Sequence, residues 1–532
     1  MNLKKMIKMK TKSYFQALVM MVPTLLLIAC SNNDDVNRVS SQTQIIPYTV
    51  SVNSEASTRA TVDADFQTLK FASGDKLYVS GTNISGVMDI QTGMGTASAT
   101  FSGSLTYTGS GSPADNLALT ATLVSAQQNP GTEVTVATDN TVTVNYGTAL
   151  CADVNEAVQK YSLLTGTSTY AQKSFSLTQQ TAFLNFAITL VDGTTVGTDV
   201  SATVANVGGS DRTGTVATVA DGTDVVAKFV APVAKQTLSG ASVTVGSNAA
   251  FAFGESKVLA AKVYNLNRKI VNLSAVTEYE AQDGDILTGT GVTSSHITIA
   301  DNAIITLNGV NLTTIGTTES YLWPGLDGKG DCTLILEGSN YVSGGYDSCP
   351  GIRTVPGKTL TIRGNGFLQV SGNSYGVGIG GNRYTSSCDW PCGNIRIEGG
   401  TIIANGGWSM AGIGGQCGNI TITGGNVTAT GGVYAAGIGT SKSGNCGNIL
   451  ISGGTVNANG GGSYSVGIGG AGDDSYSHGT CGTITITNGV TKVTAKGANK
   501  SIGADGGGVC GTITVGGEVM TSFTNPYTYQ PD

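Results

Sequence analysis

The chain has 532 residues, of which only 12% are charged and 77 are glycine, and its formal net charge is −7. That length allows several domains, and this composition is typical of an all-β protein with many tight turns. The acidic balance, without a basic stripe that alternates with aromatic residues, argues against a nucleic-acid partner. The two histidines, His296 and His478, lack metal-ligand spacing, so neither a metal nor another cofactor is expected.

Residues 1–29 are predicted to be a lipoprotein signal peptide. A lysine-rich start precedes an apolar run, and the run ends in Leu27-Ile-Ala-Cys30, which resembles a bacterial lipobox. The alternative is a signal-anchor helix, but the run is short for a membrane span and contains Pro23. Lipidation of the Cys30 thiol would anchor the mature protein in the outer membrane. The acidic segment that follows resembles the tag that sends some lipoproteins to the cell surface.

The region from about residue 40 to 272 alternates apolar and polar residues between Gly, Asp and Asn turns, which predicts antiparallel β-sandwiches. A single helical stretch is predicted over 155–164. Candidate strands are Lys76–Ser80, Leu117–Leu123, Thr141–Tyr146, Phe183–Leu190 and Val243–Val245.

This region resembles the fimbrillin family, the lipoprotein-derived fimbrial subunits of anaerobic Gram-negative bacteria. The resemblance is carried, in order, by Thr58-Arg-Ala60, Phe66, Gly74–Val79, Phe175–Phe186 and Lys262–Arg268. It implies two tandem transthyretin-like sandwiches, at 30–174 and 175–275.

The resemblance also implies how such a subunit assembles. Proteolysis after an arginine, here Arg59, removes a strand, and another fimbrial subunit donates the replacement. Alternatively, Arg59 lies in an exposed leader strand that is never cut. A long C-terminal repeat stands where shaft subunits have a short donor strand, which favours a tip subunit or a stand-alone adhesin.

The C-terminal half, residues 276–532, is a repeat. Its clearest marker is a Cys-Gly dipeptide that precedes short alternating strands and a Gly-Ile-Gly step. The hydrophobic residue of that step recurs every 25 to 34 residues, a period typical of a solenoid. Each unit contains short strands separated by glycine pairs, so we predict a right-handed parallel β-helix. The Cys-Gly cysteines are Cys392, Cys417, Cys446, Cys481 and Cys510, and the Gly-Ile positions are Leu326, Ile352, Ile379, Ile413, Ile438, Ile468 and Ile502.

The repeat also predicts which residues face inward. Ile420 and Ile422, with their equivalents in other coils, should form the core, and Asn394, Asn419 and Asn448 should form a turn ladder. The cysteine column suits a ladder of thiols better than defined pairs. A disulfide from Cys388 to Cys392 or Cys349 stays open.

The extra residues of the longer coils all fall between Gly-Ile-Gly and Cys-Gly. Equivalent positions stack in a solenoid, so these insertions should project from one edge, where binding surfaces are common. The candidate ligand-binding residues on this edge are Arg383, Tyr384, Asp389, Trp390, Asp473, Asp474, Tyr476 and His478.

An aromatic column lies just before Gly-Ile, at Tyr375, Tyr434 and Tyr464, with Trp408 offset by one place. These rings could stack on sugars, or they could pack on one another and hold the coils in register. We favour packing of the rings on one another, which would hold the coils in register.

These features predict a surface lipoprotein that acts as an adhesin or binds host or bacterial glycans or surface proteins. The alternatives are a structural fimbrial subunit without a ligand and a polysaccharide-active enzyme. No Asp or Glu column recurs on the coils, so we expect no catalytic residues and no enzymatic activity.

The lipobox generates a first prediction. Cys30→Ser should leave the protein without lipid and release it from the membrane fraction, because the thiol is the site of attachment. Labelled fatty acid and outer-membrane fractionation measure both effects. Continued labelling and membrane retention of the variant would contradict the lipoprotein prediction.

Overall fold

A computed structural model describes residues 43–54, 70–148, 150–207, 210–238, 240–252, 257–259, 261, 263–292, 294–313, 322–383, 389–473 and 478–531. Cys30 and Arg59 lie outside these ranges. Within them, no helix combines the length and apolar character that crossing a membrane would require.

The first domain is a closed barrel with strand order β1-β4-β3-β2-β5-β8-β9. Strand β1 completes it, pairing antiparallel with β4 and parallel with β9, and it buries Tyr48, Val50 and Val52. The first elements are β1 Gln44–Ser54, β2 Lys76–Gly81, β3 Ile84–Thr92, β4 Ser98–Tyr107, β5 Ala118–Val124, β6 Val134–Val136, β7 Val142–Val144, α1 Val154–Tyr161, β8 Leu164–Thr169 and β9 Ser174–Gln179.

Two features of this domain differ from the sequence prediction. The barrel is closed by a parallel pair, whereas alternation predicted an antiparallel sandwich; alternation reports only that each strand buries one face, which both architectures do. Strand β9 starts at Ser174 and belongs to the barrel, so the first domain continues past residue 174.

The second domain forms around β10, which pairs antiparallel with β13 and parallel with β18. Phe186 and Phe229 stack in its core with ring centres 5.0 Å apart. Helix α1 begins at an Asp153 cap, whose carboxylate accepts from the Glu156 amide, and it packs on β10 and β13. The strands are β10 Thr181–Val191, β11 Asp199–Ala205, β12 Arg212–Asp221, β13 Asp224–Ala234, β14 Thr237–Leu238, β15 Ser242–Val245, β16 Asn248–Ala252, β17 Lys257–Val258 and β18 Val263–Asn272, before a 3₁₀ turn at Leu273–Ala275.

The C-terminal half is a parallel β-helix, as predicted. Its strands are β19 Glu278–Ala281, β20 Asp285–Thr290, β21 His296–Ile299, β22 Ile304–Leu312, β23 Leu326–Gly328, β24 Cys332–Glu337, β25 Ser339–Ser343, β26 Ile352–Thr354, β27 Thr359–Gly364, β28 Phe367–Ser371, β29 Ile379–Arg383, β30 Asp389–Trp390, β31 Asn394–Ile397, β32 Thr401–Asn405, β33 Ile413–Gly415, β34 Ile420–Ile422, β35 Asn426–Thr430, β36 Ile438–Gly439, β37 Asn445–Cys446, β38 Ile449–Ile451, β39 Thr455–Asn459, β40 Val466–Gly470, β41 Thr480–Cys481, β42 Ile484–Ile486, β43 Lys492–Lys496, β44 Lys500–Ala504, β45 Val509–Cys510, β46 Ile513–Val515, β47 Glu518–Val519 and β48 Tyr527–Tyr529.

Six successive coils, from β23 to β43, each contribute one strand to each of three faces, and the last coil contributes a strand to two of them. The first face contains β24, β27, β31, β34, β38, β42 and β46, the second contains β25, β28, β32, β35, β39 and β43, and the third contains β23, β26, β29, β33, β36, β40 and β44. At the N-terminal end, β18 of the second domain pairs parallel with β20, so a continuous sheet joins the two domains. At the other end, β47 and β48 pair antiparallel with β46 and β43, which covers two of the three faces.

The predicted inward columns are confirmed. Ile420 pairs with Ile449 and Ile422 with Ile451 in the parallel register, and all four side chains are buried. Because each strand stacks its apolar residues on the equivalent residues of its neighbours, one continuous core runs through the coils.

The predicted asparagine ladder is also present. The side-chain oxygen of Asn419 accepts from the Asn448 amide at 2.8 Å, and that of Asn448 accepts from the Thr483 amide at 2.9 Å. The Asn419 oxygen occupies the space that a Cβ atom at Gly447 would fill. Gly418, Gly447 and Gly482, each following a cysteine, therefore make room for the asparagine of the preceding coil.

The ladder generates a second prediction. Gly447→Ala should displace the Asn419 side chain and break its hydrogen bond to the Asn448 amide, and Asn419→Ala should break the same bond. Each should destabilise the β-helix by about 1 kcal/mol. The double variant should therefore cost clearly less than the sum of the two.

Thermal unfolding and hydrogen exchange at the Asn448 amide measure these effects. Thr421→Ala, on the outer surface of the same coil, is the matched control and should change little. Additive losses in the double variant would show that the glycine and the asparagine are not coupled.

Candidate functional site

The described ends of the insertions lie on one edge of the β-helix. They follow third-face strands β29, β36 and β40, and the second and third lead into β37 and β41, which pair in a short parallel ladder with β45. This ladder aligns the ends of the loops on successive coils.

At the base of the first insertion, Arg383 pairs antiparallel with Asp389 through the backbone. The Arg383 and Asp389 side chains and all of Tyr384 lie outside the described part of the structure. Trp390 is described, and it is half-buried. The centre of its ring system lies 4.6 Å from the Arg353 guanidinium carbon, an arrangement that favours a cation–π interaction.

Trp390 covers a buried ion pair. The Arg353 Nη2 atom lies 2.9 Å from Asp327 Oδ1, although the contact is not aligned as a hydrogen bond. Both residues are buried, at 7% and 2% exposure. The other Asp327 oxygen accepts from Lys329, and Arg353 also donates to the Pro391 carbonyl at 3.1 Å. The ring therefore has a structural role that the loop pattern did not indicate.

The third insertion is tied to the second. Lys442 Nζ lies 2.7 Å from Asp473 Oδ2 and 5.4 Å from the Tyr434 ring centre. His478 is exposed, its backbone bridges to Gly472, and its Nδ1 atom lies 3.2 Å from the Gly506 carbonyl oxygen. Asp474 and Tyr476 lie outside the described residues. Trp390 contacts the coil of Ile352, whereas Asp473 contacts the coil of Ile438, so the described candidates form two clusters.

The aromatic column divides into two parts. The Tyr434 and Tyr464 rings stack 6.1 Å apart at 20°, which confirms the ladder for this pair. In the preceding coil, Ser409 occupies the position that Tyr434 has in its own coil: both residues have a positive φ, 60° at Ser409 and 65° at Tyr434. Trp408 therefore lies one residue before the column. Trp408 is 59% exposed, so its ring is available to a ligand.

The cysteine column contains thiols and one disulfide. Cys481 and Cys510 are bonded, so a ladder of thiols alone was the wrong expectation, while Cys392, Cys417 and Cys446 are free. Burial raises the pKa of Cys392 to about 11, and a hydrogen bond with Cys446 together with burial raises the pKa of Cys417 well above its usual value. Cys392 and Cys417 are therefore poor nucleophiles near neutral pH. The described residues contain no cluster of three or more potential metal ligands.

Comparison with known proteins identifies the repeat. Residues 395–419, 420–442 and 449–473 match the family model described as Beta helix repeat. No curated protein matches the chain.

Several solved structures are similar to part of the chain, at low identity. A candidate cell adhesion protein of Bacteroides ovatus ATCC 8483 is 12% identical, with 43% of this chain and 92% of that one covered and a TM-score of 0.24. A candidate polysaccharide-binding protein of Bacteroides thetaiotaomicron VPI-5482 is 8% identical, with coverages of 42% and 92% and a TM-score of 0.26. A candidate adhesin of Bacteroides ovatus ATCC 8483 is 10% identical, with coverages of 45% and 95% and a TM-score of 0.24.

The position of Trp390 generates a third prediction. Trp390→Ala should destabilise the β-helix by about 1–3 kcal/mol, because it removes the cation–π contact and admits water to the Arg353 ion pair. Trp390→Phe retains an aromatic face and should keep most of the stability. Thermal unfolding of the two variants is the measurement. An unchanged midpoint in Trp390→Ala would mean that the ring does not support the ion pair.

Proposed function

We propose that the protein is a surface-anchored lipoprotein that binds glycans in adhesion and catalyses no reaction. The observation that carries the proposal is the exposed ring of Trp408 beside the stacked Tyr434 and Tyr464. An indole that is 59% exposed on a rigid solenoid forgoes much of the stability that burial would give. A ligand that covers its apolar face would recover that stability.

The surroundings of this ring suit a sugar. Coils in a parallel β-helix are about 4.8 Å apart, so the positions of Trp408, Tyr434 and Tyr464 span about 10 Å, enough for about two pyranose rings. The flat face of Trp408 can pack against sugar C–H groups, whereas the rings of Tyr434 and Tyr464 stack on one another. Lys442 and Asp473, held together beside Tyr434, provide a donor and an acceptor for hydroxyl groups.

A second candidate function is that of a fimbrial subunit assembled by strand exchange. The observation in its favour is that β1, which precedes Arg59 in sequence, completes the first barrel between β4 and β9. Its removal would expose a groove lined by two strand edges, the geometry that accepts a donated strand. The two functions are compatible in a tip subunit.

A fourth prediction tests the glycan proposal. Trp408→Ala in the full chain should weaken binding to glycans or to host cells by tenfold or more, because few other contacts compensate in a shallow site. Its thermal midpoint should hardly change, since the side chain is largely exposed. Tyr434→Ala is the matched control and should mainly lower stability.

A glycan array, a cell-binding assay and a sugar-release assay together distinguish the alternatives. Undiminished binding by Trp408→Ala would refute this site. Sugar release would favour the enzyme. A chain that binds no glycan or cell, but forms oligomers after cleavage at Arg59, would favour the structural subunit.

A further inference from the structure

A separate groove lies at the junction of the second domain and the β-helix. Its volume is about 1060 Å³. One wall is β15 of the second domain, and the floor is the corner between the first and second faces of the early coils. Ligand sites are common at such domain junctions. The polar and aromatic side chains of its lining include Asn308, Glu337, Arg363, Asn365, Phe367 and Glu398.

The corner carries a polar side chain on each of four successive coils. Asn308 pairs with Glu337 in the parallel register, whereas Arg363, on the next coil, pairs with Ile335, two residues before Glu337, and Glu398 lies on the coil after that. Four strands give three steps, a length of about 14 Å at normal strand spacing, which accommodates about three pyranose rings. The turns on this corner are short and rich in glycine, so the backbone does not obstruct the groove.

An aromatic surface lies on one side of the corner. Phe367 lines the groove, and its ring centre is 5.8 Å from that of Tyr341 at 58°. Tyr341 is 39% exposed. The pair offers an apolar face to a sugar ring, with the tyrosine hydroxyl at its margin.

The two carboxylates that line the groove have polar partners, whereas its arginine has no carboxylate partner among the described residues. Glu398 is paired with Arg396, with Oε1 and Nε 2.5 Å apart. Glu337 accepts from the Asn308 amide at 3.3 Å, and although burial raises its pKa, the Arg268 charge opposes that rise. The exposed Arg363 guanidinium has no carboxylate within 4.0 Å in the described part of the chain. Arg363 is therefore the groove cation best able to hold an incoming anion.

We propose that this groove binds an acidic oligosaccharide of about three rings. Arg363 holds the carboxylate of one sugar through its planar donor fork, and a neighbouring ring packs on Phe367. The inference rests on the proposed glycan-binding function and adds to it a second site and a ligand class, the uronic-acid oligosaccharides.

Titration calorimetry on the full chain tests the proposal, with trigalacturonic acid and its carboxyl-reduced trisaccharide as probes. The acid should bind at least tenfold more tightly than the reduced sugar. Arg363→Ala should remove that preference, and Arg363→Lys should restore only part of it, because an ammonium group lacks the fork. Phe367→Ala should weaken the binding of both sugars. Thr421→Ala, on the outer surface of a coil and outside the groove lining, is the control and should leave affinity for the acid unchanged.

Several results would overturn the proposal. Equal affinity for the two probes, or a preference retained in Arg363→Ala at native thermal stability, would exclude Arg363 as the recognition group. Binding of trigalacturonic acid that is lost in Trp408→Ala but retained in the groove variants would refute the groove while supporting the proposed function. Failure of the wild-type chain to bind either probe, with binding to other glycans on an array, would refute the ligand class alone. Failure to bind any glycan would refute both.

Discussion

The structure of the C-terminal half depends on the in-register stacking of parallel strands. No single coil can bury Ile420 or Ile422; their cover comes from Ile395 and Ile397 on one side and Ile449 and Ile451 on the other. Register is therefore decisive, because a slip of one residue would turn every isoleucine outward. The asparagine ladder at the corner fixes that register, since each side-chain oxygen accepts one particular amide of the next coil.

The same stacking explains why the repeat was readable from sequence. Inward positions recur with the same spacing in each coil. The core columns and the asparagine ladder could therefore be predicted by comparing Ile420, Ile422 and Asn419 with the equivalent residues of other coils. The role of glycine after cysteine could not, because it follows from the path of the asparagine side chain of the preceding coil. That path brings Asn419 Oδ1 against Gly447, a contact between residues 28 positions apart.

The orientations of the candidate binding side chains, Trp390 and Trp408, were less predictable from sequence, for a physical reason. Sequence places an insertion on an edge, but it does not state whether a side chain folds back or extends outward. Trp390 folds back because Arg353 and Asp327 are buried beneath it, and that ion pair comes from two earlier coils. Trp408 extends outward because Ser409 takes the column position that tyrosine has in the next two coils. Both outcomes depend on residues of other coils, which an inspection of one loop does not reveal.

The two candidate sites reflect a division between the corners of the solenoid. The loop edge, between the third and first faces, varies in length, because an insertion there does not interrupt the core strands, and it presents the Lys442–Asp473 pair. Trp408 lies at the next corner, between β32 of the second face and β33 of the third. The corner between the first and second faces turns within one to three residues from β24 to β39 and within five between β42 and β43, so it varies much less in length. Chemical variety at that corner comes mainly from substitution, as with Glu337, Arg363 and Glu398, and from the domain that β18 attaches beside it. The continuous sheet through β18 and β20 holds β15 over this corner, so the groove is formed by the junction itself and would be absent from either domain alone.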